Sequence, residues 1–144
     1  MIGALTGGVV VGLISDRVGR RRAMIMSLIA GILLTPLWAY APQIFLLVLG
    51  AFLLQFCVQG AWGVVPAHLS ELSPNEVRGF MPGFAYQCGV LLAGWVGALE
   101  TVFANHMSYA TAMALTAVTV FVATALIAAL GREKKGIEFR AAFT

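Results

Sequence analysis

Polar and apolar positions are sharply segregated along this chain. No Asp, Glu, Lys or Arg occurs from Ala23 to Ser70, from Gly79 to Leu99, or from Thr101 to Gly131. A helix needs about 20 apolar residues to cross the ~30 Å hydrocarbon layer, so the first interval holds two crossings and the others one each. Ala41-Pro42-Gln43 is the natural turn inside the first, because proline suits a helix start and restricts the residue before it. The pattern predicts spans at 23–40, 44–67, 79–101 and 109–130, with a tail at 131–144. Met1–Ile14 is apolar too, but 14 residues rise only ~21 Å as a helix. It lacks a basic leader and runs into a basic cluster, unlike a secretory signal. We read it as a partial helix, the end of a span that begins outside this sequence.

Composition narrows the class. Of 144 residues, 60% are hydrophobic and 10% charged, against about 25% charged in soluble domains. This excludes a soluble globular domain, a disordered chain and a disulfide-stapled secreted domain, and leaves an all-α transmembrane protein. Cys57 and Cys88 both lie in apolar runs, make neither a disulfide framework nor a metal site, and read as small core residues.

The charge distribution sets the orientation. The nine basic residues fall within 15–22, 68–78 and 131–144, and none falls within 41–43 or 102–108. Four sequential spans put the first three segments on one side, which the positive-inside rule makes cytoplasmic, C-terminus included. Basic residues split among short loops without interleaved aromatics also argue against a nucleic-acid partner. The lipid bilayer is the partner that composition demands.

The first basic cluster reads Gly12-Leu-Ile-Ser-Asp16-Arg17-Val-Gly19-Arg20-Arg21-Arg22. Gly19 can supply the positive φ of a tight reversal, and Gly12 permits close packing one turn earlier. The segment resembles the G-x-x-x-D-R-x-G-R-R loop signature of the major facilitator superfamily at every fixed position. Glu71-Leu-Ser-Pro74-Asn-Glu76-Val-Arg78-Gly79 matches a second family pattern, E-x-x-P-x-x-x-R-G, two spans later. Residues 55–71, 83–87 and 135–139 further resemble the C-terminal half of the sialate/lactate–proton symporters. The resemblance implies the C-terminal half of a twelve-helix fold, from the end of helix eight through helix twelve, in the cell membrane. Its partners would be an N-terminal half absent from this sequence, a small organic acid and a proton. It also implies gating contacts at the loops: Asp16 near Arg78 and the N-terminal end of the 79–101 helix, and Arg20 or Arg21 near Glu71 or Glu76.

The helix faces supply candidate chemistry independently. Gln55, Gln59, Trp62 and Pro66 recur at helical spacing on one face. An amide near the middle of a span must look into protein or a water-filled cavity, as glue between helices or as lining. Tyr86 and Gln87 offer a phenol and an amide from the next span. Amides, indole and phenol donate hydrogen bonds, so Gln55, Gln59, Trp62, Tyr86 and Gln87 are the candidate substrate path. Gly79, Gly83, Gly89, Ala93 and Gly97 form a small-residue stripe read as helix packing. Glu100 is the one acid outside the cytoplasmic clusters, a candidate proton carrier that its position near the outer interface weakens. His68 and His106 read as polar ends of spans, without a second metal ligand at useful spacing. No metal, cofactor, nucleophile–base pair or phosphate loop is indicated, and no enzyme. The expectation is proton-coupled symport of a lactate- or sialate-like acid. Transport of a sugar or aromatic acid, and a non-transporting membrane scaffold or fragment, are the alternatives.

Overall fold

A computed structural model describes residues 1–132. The described chain forms six helices: α1 Ile2–Val18, α2 Arg20–Ala39, α3 Ile44–Leu72, α4 Met81–Ala93, α5 Val96–Ala104 and α6 Tyr109–Leu130. Arg20–Ala39, Ile44–Leu72, Met81–Ala104 and Tyr109–Leu130 are each long and apolar enough to cross a membrane. At 17 residues, α1 rises only about 26 Å. The tail at 133–144, with Lys134, Lys135 and Arg140, lies outside the described residues.

The reversal between α1 and α2 takes a single residue. Gly19 has φ 106° and ψ 147°, a conformation that only glycine adopts without strain, and its N–H closes α1 on the Ser15 carbonyl at 3.0 Å. Residues with side chains favour helix on both flanks, so the chain turns here without a loop.

The core is the seam where α1 and α2 pack on α3. The buried stripe of α1 is Gly3, Gly7, Val11 and Ser15, one residue per turn on one face. A methyl on Gly7 would come 2.7 Å from the Phe56 Cα, and one on Gly60 would come 2.6 Å from Val11 Cγ2. These helices therefore touch through backbone, as small residues permit in membranes. Val11, Ala23, Met24 and Val64 fill one end of the seam. Leu28, Leu54, Ala61 and Phe121 fill the other and tie α6 to α2 and α3.

Three features depart from the sequence reading. First, α3 continues past residue 67 to Leu72. Residues 68–72 are helix-competent and the stop comes from Pro74, whose preceding residue is pushed to extended backbone; Ser73 has ψ 139° and bonds back through Oγ to the Leu69 carbonyl at 2.6 Å. Glu71 thus sits on a helix face and not in a loop. Second, the interval 79–101 is two helices that meet at Gly94 and Trp95. Glycine weakens a helix by about 1 kcal/mol relative to alanine, and the halves have different supports: α4 leans on α3, and α5 on α6. Third, the small-residue stripe of this interval is unpacked among the described residues. A Cβ at Gly79, Gly83, Gly89 or Gly97 would meet nothing within 4 Å, and α4 and α5 bury no residue. Cys88 is accordingly exposed while Cys57 is buried; only the latter is a core residue.

Candidate functional site

Charged side chains converge where α1 ends, α2 begins and α3 ends. Arg20 is the hub. Its Nε donates to Glu71 Oε1 at 3.2 Å, and its Nη1 donates to the Ser15 hydroxyl at 2.6 Å and pairs with Asp16 Oδ1 at 2.5 Å. Ser15 is fully buried and donates its own proton to the Gly12 carbonyl at 2.6 Å. One guanidinium thus ties three helices with directional bonds, a geometry that Arg's planar fork supplies and Lys cannot.

The other arginines of the signatures close helix ends. Arg78 donates from Nε to the Ser70 carbonyl at 3.0 Å and from Nη2 to the Ser73 carbonyl at 3.2 Å, at the C-terminus of α3. Arg21 donates to the Gly131 carbonyl at 2.9 Å, at the C-terminus of α6. Both put a cation where unsatisfied carbonyls carry partial negative charge. The expected approach of Arg20 to Glu71 is present. The expected pairing of Asp16 with Arg78 is replaced by Asp16–Arg20, because Gly19 swings Arg20 back over the last turn of α1 while Arg78 faces the α3 carbonyls. A Cβ on Gly12 would meet nothing within 4 Å, so its close-packing role is not used among the described residues. Arg17 is exposed at the same rim.

A second cluster lies between α3 and α4. Trp62 and Tyr86 meet edge-to-face with centroids 5.5 Å apart, over a cleft of about 150 Å³ shared with Val65, Pro66, Leu69, Pro82, Ala85 and Gly89. Gln55 opens elsewhere, into a wider cleft of about 680 Å³ beside Gly3, Trp38 and Phe52. Gln59 is half-buried, and Gln87 is exposed on α4. The five candidate path residues therefore form no single pocket within the described chain. The amides of Gln55, Gln59 and Gln87 make no side-chain hydrogen bond among the described residues, so they are not glue between these helices. Glu100 sits on α5, half-buried and remote in sequence from every other acid.

Sequence reasoning missed two buried polar residues at this end of the bundle. Ser15 looked like an ordinary loop residue, although it continues the Gly3, Gly7, Val11 spacing. His68, read as a polar helix end, is buried; its spacing of three from Glu71 was the available signal.

A bundle of apolar, membrane-length helices, tied at its basic end by a charged hub and carrying unbonded amides and aromatics deeper in, has the construction of part of a multi-pass membrane protein. The sequence matches the model of the Major Facilitator Superfamily over residues 1–142, and the chain belongs to that family. Among its relatives is a carboxylic acid transporter protein homolog of Saccharomyces cerevisiae, 32% identical over 147 aligned positions covering 92% of this chain and 24% of the yeast protein. The putative metabolite transport protein YncC of Bacillus subtilis is 42% identical over 82 residues, 56% of this chain and 17% of that protein. The glucose transporter GlcP of Staphylococcus epidermidis is 34% identical over 79 residues, 55% of this chain and 18% of that protein. The chain spans about a quarter or less of the length of these relatives. No solved structure matches it.

Proposed function

We propose that this chain forms the C-terminal part, helix eight to helix twelve, of a facilitator carrier that moves a small organic acid together with a proton. Two halves rock around a central site in such carriers, and this chain supplies surface for one side of it. The observation that carries the reading is the set of unbonded donors on α3 and α4. Gln59, Trp62, Tyr86 and Gln87 present amides, an indole and a phenol with no hydrogen-bond partner in the described bundle. Polar groups at membrane depth persist only where protein or a water-filled cavity meets them. A carboxylate or polyol passing that face would accept or exchange these hydrogen bonds. Beyond Arg20, Arg21 and Arg22 at the start of α2, the spans carry no basic residue, so an acid's charge is met by the co-transported proton or by the other half.

An acid is favoured over other solutes by the likeness of residues 55–94 to the sialate/lactate–proton symporters, and by the yeast relative's name and its coverage of 92% of this chain. A sugar is the second reading, favoured by relatives named for glucose and D-xylose transport. The arginine-rich end and the C-terminus are assigned to the cytoplasmic side of the plasma or inner membrane. There Arg20, with Asp16, Ser15 and Glu71, holds that side shut in one state of the cycle. The chain is part of a carrier and not of an enzyme. The test is uptake by the full-length carrier. Proton-gradient-dependent uptake of lactate or sialate, weakened in Gln59→Ala, supports the acid. Uptake of a neutral sugar, uninhibited by monocarboxylates or sialate, refutes it.

A further inference from the structure

Two arginines at the basic end, Arg22 and Arg132, are exposed and make no hydrogen bond or ion pair among the described residues. The fold brings them to one edge of the bundle. Arg21 Nη1 holds the Gly131 carbonyl at 2.9 Å, which sets the end of α6 against the start of α2. Arg22 follows Arg21, and Arg132 follows Gly131. Neither α2 nor α6 contains an acid, while Asp16 and Glu71 are engaged by Arg20. Glu133 comes next after Arg132 and lies outside the described residues.

The start of α2 is electrostatically unbalanced. It opens on Arg20, Arg21 and Arg22, with no acid in the first turn and no side-chain cap. A helix start carries partial positive charge, so added cations are unfavourable there and an anion is stabilising. From Arg22 inward the same face turns apolar. Met26, Ile29 and Leu33 follow at i+4, i+7 and i+11, on one side of the helix, and are 52%, 50% and 75% exposed. Ile127 and Leu130 at the facing end of α6 are exposed too. A cation at the end of the span with a bare apolar strip running inward from it repeats the order of a phospholipid, phosphate outermost and acyl chain beneath.

We propose that Arg22 and Arg132 form a binding site for the phosphate of an anionic phospholipid, whose acyl chain lies along Met26, Ile29 and Leu33. The proposal requires only that Arg20–Ala39 crosses a bilayer and is independent of what the carrier moves. Guanidinium groups donate charge-assisted, often bidentate hydrogen bonds to phosphate oxygens, and basic pockets between spans hold anionic headgroups in this way. The bound phosphate bridges α2 and α6 beside the Arg21 tie and offsets the cations at the α2 start. A zwitterionic lipid brings an ammonium group with its phosphate and is the weaker ligand.

The experiment places a bimane fluorophore on Met26→Cys, in full-length carrier otherwise free of reactive cysteines. The protein is reconstituted in mixtures of phosphatidylglycerol and phosphatidylcholine with one of the two brominated in its chains. Bromine quenches a fluorophore it touches, so the two quenching curves give the relative affinity of the lipids for this face. We expect phosphatidylglycerol to be preferred. Arg22→Gln and Arg132→Gln should each lower the preference by up to about fivefold, the effect of one cation at a membrane surface, and the double variant should abolish it. Arg22→Lys should keep most of it, because a point charge still attracts phosphate. Arg21 is intact in every variant, so the α2–α6 tie survives. Equal quenching by the two lipids overturns the proposal, as does a preference unchanged in the double variant. Loss of the preference on adding inorganic phosphate makes this a site for a free anion and overturns the lipid. A label that neither lipid quenches puts protein over the face and overturns it likewise.

Discussion

Gly7→Ala probes the packing that everything else depends on. The added methyl would stand 2.7 Å from both the Cα and the carbonyl carbon of Phe56, all of it backbone that cannot rotate away. Carbon atoms rest at about 3.5–4.0 Å, so α1 must retreat by about 1 Å, and a gap of that size forfeits up to about half of each dispersion contact along the seam. Overpacking of this kind costs about 1–3 kcal/mol, offset by the ~1 kcal/mol by which alanine outperforms glycine in a helix. The net expectation is a loss of up to about 2 kcal/mol, which leaves Gly7→Ala about 1–3 kcal/mol below a Gly12→Ala control. Gly12→Ala is the internal control: it lies on the same helix, its methyl meets nothing within 4 Å, and only the propensity gain of up to ~1 kcal/mol remains. Unfolding of the two variants and the parent, followed by circular dichroism during detergent titration, ranks them. Equal stability of Gly7→Ala and the parent, with Gly12→Ala the weaker protein, would refute the backbone-contact seam.

Further tests follow from the same geometry. Cysteines placed at positions 8 and 63, in a background lacking Cys57 and Cys88, should oxidise readily to a disulfide, since a Cβ built on Gly63 lies 3.3 Å from the Gly8 Cα; failure to cross-link on a gel would contradict the α1–α3 register. Removing one partner of the buried pair should weigh more than removing its exposed one. Glu71→Ala should destabilise by about 2 kcal/mol, because it removes a charge-assisted hydrogen bond from a mostly buried guanidinium that keeps Ser15 and Asp16, whereas Asp16→Asn should cost about 0.5 kcal/mol, as exposed helical pairs do; chemical denaturation of both variants checks the order. In the intact carrier Asp16→Asn should still raise cytoplasmic accessibility, read by cysteine labelling, because a small bias suffices to shift two near-balanced states. The 144-residue chain alone should give no saturable uptake in liposomes, since its α4 face is uncovered; uptake by that chain would overturn the two-half account.

The spans were legible because long charge-free intervals permit little else, and the tight turn at Gly19 was legible because one glycine stood between two helix-forming runs. The Glu71 helix position was not, since a run such as His-Leu-Ser-Glu-Leu reads equally well as loop or helix until Pro74 is taken as the stop. The break at Gly94–Trp95 was hidden for a related reason: two adjacent residues carry no strong breaker, and the division follows from α4 and α5 resting on different helices. Gly3 and Gly7 escaped because their run is too short to span a membrane, whereas the conspicuous Gly79–Gly97 stripe fills a span-length interval and attracted the packing assignment. The aromatic half of the candidate site, Trp62 with Tyr86, was legible by residue type. Its separation from Gln55 was not, because helical phase alone does not reveal which neighbour covers each stretch of a 29-residue helix.

The central claim, an organic-acid carrier coupled to protons, is tested most directly by counting protons with substrate. In proteoliposomes holding the full-length carrier, an inward lactate or sialate gradient should alkalinise the outer medium as acid and proton enter together, and Gln59→Ala should slow both fluxes in parallel. Acid entry with no accompanying proton movement, or sugar entry in its place, would contradict the account.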